Sequence, residues 1–207
     1  MFKTIKKEIE TSVTEKKSKF ICHIYHVESV EEAEEKLDEV RKKYHDARHN
    51  CYVYRIADGD ISKASDDGEP SGTAGVPMLN ILNGNNLSNV LVVVTRYFGG
   101  ILLGTGGLVR AYSLATTTAI EEAEILVQTR GLEAECFVGY NEFEELKYHL
   151  KNRNIEIINA EYAEKIKVIG EGKEEDINKL LIEKISDRIT LENIQILRKK
   201  YISVEEK

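Results

Sequence analysis

Residues 89–113 read NVLVVVTRYFGGILLGTGGLVRAYS and place five glycines between an apolar run and a helical pattern. The run 90–94 is rich in β-branched residues and leucine, which is typical of a strand covered on both faces. From near Thr105 onward, apolar residues recur at helical spacing: Leu108, Ala111, Tyr112, Ala115 and Ala119. We therefore predict a buried strand, a glycine-rich loop and a helix, in this order.

The glycine loop matches neither of the common nucleotide-binding motifs. Walker A requires Lys and then Ser or Thr after its last glycine, but Thr105 and Gly106 follow Gly104. The dinucleotide pattern G-x-G-x-x-G fails because its last position is Val109. Successive glycines before a helix still bring backbone N–H groups together, and such groups bind anions. The glycines would equally allow a tight crossing from strand to helix, and both interpretations remain open.

The charge distribution around this loop favours an anionic ligand. Between Pro70 and Ile120 there is no Asp, Glu or Lys, and two arginines are the only charged residues. A phosphate, a carboxylate or an acidic side chain of a partner protein would suit such a surface. The candidate contacts of a small anion are Arg96, Gly99, Gly100, Gly104, Thr105, Gly106, Gly107 and Arg110.

A second polar cluster lies upstream, in residues 65–77, SDDGEPSGTAGVP. Asp66, Asp67 and Glu69 surround a glycine and precede a proline, so they are expected on a turn. They could hold a hard cation through oxygen ligands, but the calcium-loop pattern is absent. Carboxylates that solvate the loop, cap the following helix or pair with the two arginines are the simpler interpretation. We assign no metal and no cofactor.

Groups for acid–base or nucleophilic chemistry are few near these clusters. His49, in the strand-like segment ARHNCYVYR, is the candidate titratable group, although a single histidine at a strand start more often has a structural role. Two hydroxyls follow the acidic turn without any local signature of a nucleophile. The candidate contacts of a ligand or partner therefore also include His49, Asp67, Glu69, Ser71 and Thr73.

The remainder of the first half predicts a mixed α/β sandwich. Apolar runs in FKTIKKEIE and SKFICHIYHV predict strands separated by the polar TSVTEKK, and HNCYVYRIA predicts another strand. GTAGVPMLNIL predicts a helix. An earlier helix is predicted from apolar residues at helical spacing: Val30, Ala33, Leu37, Val40 and Tyr44.

From about residue 128 the predicted order is strand, helix, strand, strand, helix, strand, which is the ferredoxin-like βαββαβ arrangement. Asn141 and Glu144 form a capping-box pattern at the start of the first of these helices. The second helix is predicted over residues 174–185. We therefore predict an α+β protein of two domains, joined near residues 126–131: residues 1–128 and residues 129–207.

Composition limits the classes of partner. The 207 residues carry a formal net charge of −7, which argues against a nonspecific nucleic-acid binder. Residues 131–207 have 13 Lys and Arg against 17 Asp and Glu, a net charge of −4. The case for RNA binding by the second domain therefore depends on one basic strip: Lys165, Lys167, Arg198, Lys199 and Lys200.

The sequence predicts a cytoplasmic protein without a membrane partner. No apolar stretch approaches the roughly 20 residues of a membrane-spanning helix, and the first residues lack the apolar core of a signal peptide. Cys22, Cys51 and Cys136 are widely separated and follow no metal-ligand spacing. We expect all three to be small buried hydrophobes.

Three segments together resemble the signature blocks of the YigZ/IMPACT family: ARHNCYVYR, SDDGEPSGTAGVPML and NVLVVVTRYFGGILLGTGGLVRAYS. The resemblance covers residues 15–120, and the second half is similar to the companion domain of bacterial members. It implies a first domain like domain IV of elongation factor G and a second like its domain V. The blocks map onto one surface of unknown ligand, formed by Asp67, Gly68, Glu69, Pro70, Gly72, Thr73, Gly75, Arg96, Tyr97, Phe98, Gly99, Gly100, Gly104, Gly106, Gly107 and Arg110.

The resemblance also implies a role in translation. Eukaryotic relatives regulate translation during amino-acid starvation by competing for the activator of an initiation-factor kinase, and the family has no established catalytic residues. We therefore expect a non-enzymatic regulatory protein that binds a protein or ribosomal partner through residues 67–69 and 99–110. One alternative is a hydrolase or transferase acting on a small phosphorylated or carboxylate substrate, with Asp67, Glu69 or His49 as acid, base or metal ligand. The other is a nucleic-acid-binding module built on the second domain.

Overall fold

The computed structural model describes residues 1–182, 185–186 and 188–204. The chain forms two compact units, Phe2–Val127 and Gln128–Lys207, the latter together with Met1. Each unit combines helices with a β-sheet and has its own hydrophobic core. The predicted α+β class is therefore confirmed.

The first unit is built on one antiparallel sheet. The strands of this sheet are β2 (Ile9–Glu15), β3 (Ser18–His26), β4 (His49–Ile56), β5 (Ile61–Ser65) and β6 (Val90–Tyr97), and the unit also contains β1 (Phe2–Ile5), which is not part of this sheet. Its helices are α1 (Val30–Lys43), α2 (Gly75–Gly84) and α3 (Gly104–Glu122). The strands of the sheet lie in the order β2, β3, β6, β4, β5, and every neighbouring pair is antiparallel. Strand β6 is therefore central.

Strand β6 is buried on both faces, as its apolar run predicts. Val90, Val92 and Val94 belong to the core that includes residues of α2 and α3. Leu91 and Val93 belong to the core on the other face, beneath α1. This division follows from the alternation of side chains along a strand. The predicted apolar stripe of α3 is buried over its whole length: Leu108, Ala111, Tyr112, Ala115 and Ala119.

Helix α1 occupies the segment whose apolar spacing predicts it. Ser29 Oγ accepts a hydrogen bond from the Glu32 N–H and so caps the helix. Acidic residues in the first turn and basic residues in the last turn interact favourably with the helix dipole. Ala33, Leu37 and Val40 are buried against the sheet.

The second unit has the predicted ferredoxin-like fold. Its elements are β7 (Ile125–Val138), α4 (Phe143–Asn152), β8 (Glu156–Tyr162), β9 (Ile166–Lys173), α5 (Glu174–Ile182) and β10 (Glu192–Val204). The strands lie in the order β8, β9, β7, β10. This βαββαβ sequence of elements, with the first and third strands side by side at the centre, is the ferredoxin-like arrangement. Leu146 and Leu150 of α4 and Ile177 of α5 lie in its core.

Two strands of the first unit differ from the prediction. The segment TSVTE is not a separator but the body of β2, since Ile9–Glu15 pairs residue by residue with β3. The connecting turn is formed by Lys16 and Lys17, which have φ angles of 45° and 65°. Strand β5 was not predicted because it is largely exposed and has no apolar alternation. Backbone pairing with β4 defines it instead.

The predicted junction at residues 126–131 lies inside β7, which runs without a break over Ile125–Val138. The chain therefore passes from one unit to the other within a strand. The last predicted strand is β10, which extends to Val204. Helix α5 is described up to Ile182, and residues 183 and 184 of the predicted helix lie outside the described residues.

The predicted capping box of α4 is wrong as well. The helix begins at Phe143, and Asn141 lies outside it. Glu142 Oε2 instead accepts a hydrogen bond from the Gly139 N–H over 3.2 Å. An acidic side chain thus does stabilise this turn, but two residues earlier in the chain than the Glu144 of the predicted motif.

Within the described ranges, no helix is long and apolar enough to cross a membrane. Cys22, Cys51 and Cys136 are free and buried. The prediction that they behave as small hydrophobes is therefore confirmed.

Candidate functional site

The loop between β5 and α2 and the loop between β6 and α3 meet in one cleft of the first unit. The cleft has a volume of about 440 Å³, within the range of roughly 300–1,000 Å³ that is usual for small-ligand sites. Its lining residues are Arg48, His49, Gly68, Glu69, Pro70, Arg96, Phe98, Leu102, Leu103, Gly104, Thr105 and Leu108. The two polar clusters of the sequence therefore contribute to the same site.

A buried ion pair forms part of the cleft wall. Arg96 Nη1 donates a hydrogen bond to Glu69 Oε1 over 2.6 Å, and the two side chains are only 8% and 3% exposed. Tyr112 OH donates to the same carboxylate oxygen over 2.9 Å, and Cys51 Sγ donates to Tyr112 OH over 3.2 Å. Removal of either charge would leave the other buried without compensation. The predicted pairing of an acid in the first loop with an arginine in the second is confirmed.

Burial controls the protonation of the groups beside this ion pair. It raises the pKa of the Tyr112 hydroxyl and of the Cys51 thiol above their ordinary ranges. Both groups therefore keep their protons at neutral pH and act as hydrogen-bond donors. A buried thiol in this state is a poor nucleophile.

Asp66 fixes the first loop against the start of α2. Its Oδ1 accepts hydrogen bonds from the N–H groups of Ala74 and Gly75, over 2.9 and 2.8 Å, and its Oδ2 accepts one from Gly72 over 2.7 Å. Burial alone would raise the pKa of Asp66, but these three donors outweigh it and lower the pKa below its ordinary value. The carboxylate therefore replaces a side-chain cap of α2, because the cap residue itself supplies none.

His49 and Asp67 join the start of β4 to the same loop. His49 Nδ1 lies 2.8 Å from the carbonyl oxygen of Asp67, so Nδ1 carries the proton in this contact and Nε2 is left for other partners. Asp67 Oδ2 accepts a hydrogen bond from the Asn50 N–H over 2.7 Å, and Oδ1 lies 3.6 Å from Arg41 Nη2. Both carboxylate oxygens of Asp67 are therefore used in contacts that hold the loop in place.

The candidate metal ligands do not converge. Asp66 binds backbone donors, Asp67 contacts β4 and α1, and Glu69 pairs with Arg96. Among the residues that the structure describes, no three His, Cys, Asp or Glu side chains are grouped as a metal site requires. The oxygen cluster needed by a hard cation is therefore not formed by these carboxylates.

The glycines of the second loop are needed for different structural reasons. A Cβ on Gly99 would lie 2.0 Å from the Lys17 carbonyl carbon, so this glycine allows the loop to pass the β2–β3 turn. Gly100 and Gly104 adopt φ angles of 82° and 68°, which favour glycine. Gly106 differs, because a Cβ there would meet nothing closer than Arg110 Nη1 at 3.7 Å. The tight crossing from strand β6 to helix α3 thus accounts for most of the glycines in this loop. At Gly106, the lack of a side chain instead leaves free space beside the start of α3.

Several predicted site residues lie outside the cleft lining. Thr73 Oγ1 donates a hydrogen bond to the Pro70 carbonyl over 2.6 Å and so stabilises the loop. Arg110 is exposed on α3. The predicted residues that do not line the cleft are Asp66, Asp67, Ser71, Gly72, Thr73, Gly75, Tyr97, Gly99, Gly100, Gly106, Gly107 and Arg110.

Sequence reasoning missed four lining residues and one buried partner. Arg48 precedes the proposed His49, and Leu102 and Leu103 lie between the glycine pairs, so position in the sequence was their only signal. Leu108 and Tyr112 were assigned to the apolar stripe of α3, which is correct. The hydrogen bond from the Tyr112 hydroxyl to Glu69 had no sequence signal.

Comparison with known proteins identifies the family. Residues 16–120 match the family model described as the Impact N-terminal domain. A protein of Haemophilus influenzae described as an IMPACT family member is 35% identical over 189 residues, which cover 87% of this chain and 91% of that protein. The chain belongs to the IMPACT family.

Other IMPACT relatives match over different lengths. The IMPACT family member YigZ of Escherichia coli is 39% identical over 71% of this chain and 74% of its own length. The IMPACT family member YvyE of Bacillus subtilis is 46% identical over 59% of this chain, and the match spans 57% of that relative's length. A crystal structure described as that of a hypothetical protein is 31% identical, with a TM-score of 0.62 over 92% of this chain and 95% of the other.

The basic strip proposed for the second unit of this IMPACT-family chain is largely paired with acids. Lys167 Nζ lies 3.3 Å from Glu135, and Arg198 donates to Glu133 over 2.8 Å. Two more pairs lie within the same unit: Lys165 with Glu192, and Lys200 with Glu171. Phosphate binding would require these cations to exchange one negative partner for another, which weakens the case for an RNA surface here.

Proposed function

We propose that this IMPACT-family chain regulates translation as a non-enzymatic binding protein, and that a protein or ribosomal partner binds at the cleft. The observation that supports this best is the apolar rim of the second loop, where Leu102 is 84% exposed and Phe98 is 49% exposed. Large apolar side chains exposed next to one another are typical of interaction sites. The family resemblance supports translation as the setting, and the proposal therefore includes a cytoplasmic location.

The chemistry of the cleft favours binding over catalysis. Glu69 is held by Arg96 and Tyr112, and the Cys51 thiol is buried and protonated. A nucleophile requires a base within hydrogen-bond reach, and the hydrogen bond of His49 in the described residues goes to the Asp67 carbonyl, not to a hydroxyl or a thiol. Among the described residues that line the cleft, we find no nucleophile–base pair with which to support a hydrolase or transferase.

Site-specific photocrosslinking tests the proposal. A photoreactive phenylalanine analogue replaces Leu102 in the full chain in cells, and the crosslinked products are identified by mass spectrometry. The matched control places the analogue at Leu114, which is 52% exposed on α3 and does not line the cleft. We expect a ribosomal or translation-factor protein in the Leu102 products alone. Identical products from both positions, or products unrelated to translation, would contradict the proposal.

A further inference from the structure

The guanidinium of Arg96 has more donors than the chain supplies acceptors. It lines the cleft, yet only Nη1 donates a hydrogen bond within the described residues, to Glu69. Nε is fully buried and has no acceptor. A guanidinium carries five N–H donors, and a buried donor without a partner costs free energy. Nη2 also donates no hydrogen bond within the described residues, so Arg96 retains donor capacity for an acceptor oxygen supplied by a ligand in the cleft.

The first turn of α3 provides a second set of unpaired donors in the same cleft. Gly104 and Thr105 line the cleft, and Leu103, at the cap position, supplies no side-chain acceptor. Within the described part of the chain, the N–H groups of Gly104, Thr105 and Gly106 donate no hydrogen bond. The first turn also contains no acidic residue. In a helix of 19 residues such a terminus attracts a negative group.

The charges of the cleft suit a single negative charge. Arg96 is already paired with Glu69, so Arg48 is the lining guanidinium that has no carboxylate partner among the described residues. A doubly charged phosphate would lie near the Glu69 carboxylate and be repelled by it. A carboxylate carries one charge, and its two oxygens match the fork of a guanidinium.

The other residues that line the cleft indicate the kind of molecule to which this carboxylate belongs. Five of the twelve lining residues are apolar: Pro70, Phe98, Leu102, Leu103 and Leu108. A site with a few convergent polar groups in a largely apolar wall is typical of ligands that are polar at one end. The ligand should therefore hold its carboxylate next to an apolar group.

We propose that the cleft binds a carboxylate attached to an apolar side chain. The carboxylate accepts hydrogen bonds from Arg48, Arg96 and the first amides of α3, and the apolar group contacts Phe98 and the neighbouring leucines. The free C terminus of a peptide that ends in an apolar residue and a small apolar organic acid share this chemistry. The inference deepens the proposed function, and rests on it only in assigning the carboxylate to a partner.

Calorimetric titration of the full chain tests the ligand chemistry. The probes are N-acetyl-leucine, its amide, inorganic phosphate, and a short peptide ending in two leucines with a free or an amidated C terminus. We expect the free acids to bind at least about tenfold more tightly than the matched amides, because the amides lack the charged acceptor. Phosphate should bind more weakly than either acid. A peptide acid that binds more tightly than N-acetyl-leucine identifies a peptide terminus as the source, and equal affinities identify a small acid.

Two variants separate binding from folding. Arg48→Gln removes an exposed charge, and Lys42→Gln, on α1 outside the cleft, is its charge-matched control. Gly106→Asp places a carboxylate at the start of α3, where the added Cβ has room and the helix dipole favours the acid. Asn83→Asp adds the same charge at an exposed position outside the lining. Arg48→Gln should weaken acid binding by about tenfold and Gly106→Asp should abolish it without lowering the melting temperature, while both controls bind normally.

The inference fails if acid and amide bind equally, if no carboxylate binds at millimolar concentration, or if Gly106→Asp binds the acids normally. It also fails if phosphate binds as tightly as the acids. Its failure is distinguishable from that of the proposed function. Loss of carboxylate binding with intact Leu102 crosslinks would overturn the ligand chemistry alone. Selective carboxylate binding without crosslinks to the translation machinery would overturn the proposed function alone.

Discussion

Asp66 holds the first loop of the cleft in place through its charge. Its two oxygens accept three backbone hydrogen bonds near the start of α2, and its own carbonyl accepts one from the Glu69 N–H over 2.9 Å. Glu69 is therefore positioned for Arg96 by a neighbour three residues away. The lowered pKa of Asp66 links this arrangement to pH, since the folded state binds the proton less readily than the unfolded state.

We predict that Asp66→Asn destabilises the protein by about 1–2 kcal/mol at pH 7. The carboxylate accepts its three backbone hydrogen bonds with two oxygens, whereas the amide has only one acceptor oxygen. The contribution of Asp66 is complete above its ordinary pKa of 3.8 and is lost as the pH falls through the lower folded value. The difference between the variant and the parent protein should therefore shrink below about pH 4. Urea unfolding followed by circular dichroism at pH 7 and pH 3 measures it.

Asp58→Asn is the control for this substitution, because Asp58 is exposed in the 3-10 turn Asp58–Asp60. It should change stability little at either pH. A destabilisation by Asp66→Asn that is as large at pH 3 as at pH 7 would show that the charge of Asp66 is not responsible.

At the scale of single residues, the sequence predicted a contact of the site only where the charges of the side chains were enough to determine it. Two arginines in a stretch without Lys, Asp or Glu, next to an acidic turn, were sufficient to predict that an acid pairs with an arginine. They did not show that Glu69 is the acid and Arg96 the base, because this choice depends on the β4–β6 register, which places Arg96 opposite His49. Tyr112 was predicted as core and is core, but the position of its hydroxyl next to Glu69 is set by tertiary packing.

At the scale of elements, the glycine loop is fixed mainly by the β2–β3 turn. Gly99 N–H donates to Ser18 Oγ over 3.1 Å, and its Cα passes against the backbone of Lys17 and Ser18. The turn cannot move away easily, because Lys16 and Lys17 both adopt positive φ angles to close the hairpin. The path of the second cleft loop therefore depends on a hairpin elsewhere in the sheet.

We predict opposite effects for two glycine substitutions in this loop. Gly99→Ala should lower the free energy of unfolding by about 1–3 kcal/mol, since the added methyl overlaps the hairpin backbone. Gly106→Ala should raise it by up to about 1 kcal/mol, because the site is helical and open and alanine favours helix. Urea unfolding of both variants measures the two changes. Equal effects would show that close approach to the hairpin does not determine the need for glycine at position 99.

The elements that the sequence predicted are those with a one-sided or two-sided apolar pattern. Strand β6 and helices α1 and α3 have such patterns and were predicted at nearly their observed limits. Strand β5 has none, because it lies at the edge of the sheet and is held by backbone pairing with β4. The predicted junction near residue 128 has no break in secondary structure to mark it. A change in composition marks where the core changes, whereas β7 continues through that point.

At the scale of the whole molecule, the chain has separate cores rather than one. The core on the α2–α3 face of the first sheet contains residues from Ile5 to Ala119, and the core of the second unit contains residues from Leu132 to Ile189. The two sets share no residue. A stretch of 126 residues, Phe2–Val127, is within the usual size of an independently folding domain.

We propose that the boundary predicted after residue 128 separates two domains, and predict that residues 1–128 fold alone. All the residues that line the cleft, and the whole sheet from β2 to β6, are contained in this fragment. Its backbone amide NMR spectrum should therefore reproduce the resonances of the same residues in the full chain, except near the new C terminus. A fragment ending at residue 103, which lacks α3 and hence the buried stripe around Tyr112, is the control and should remain unfolded. A poorly dispersed spectrum for residues 1–128 would show that the first unit requires the second, because its own core would then be insufficient for folding.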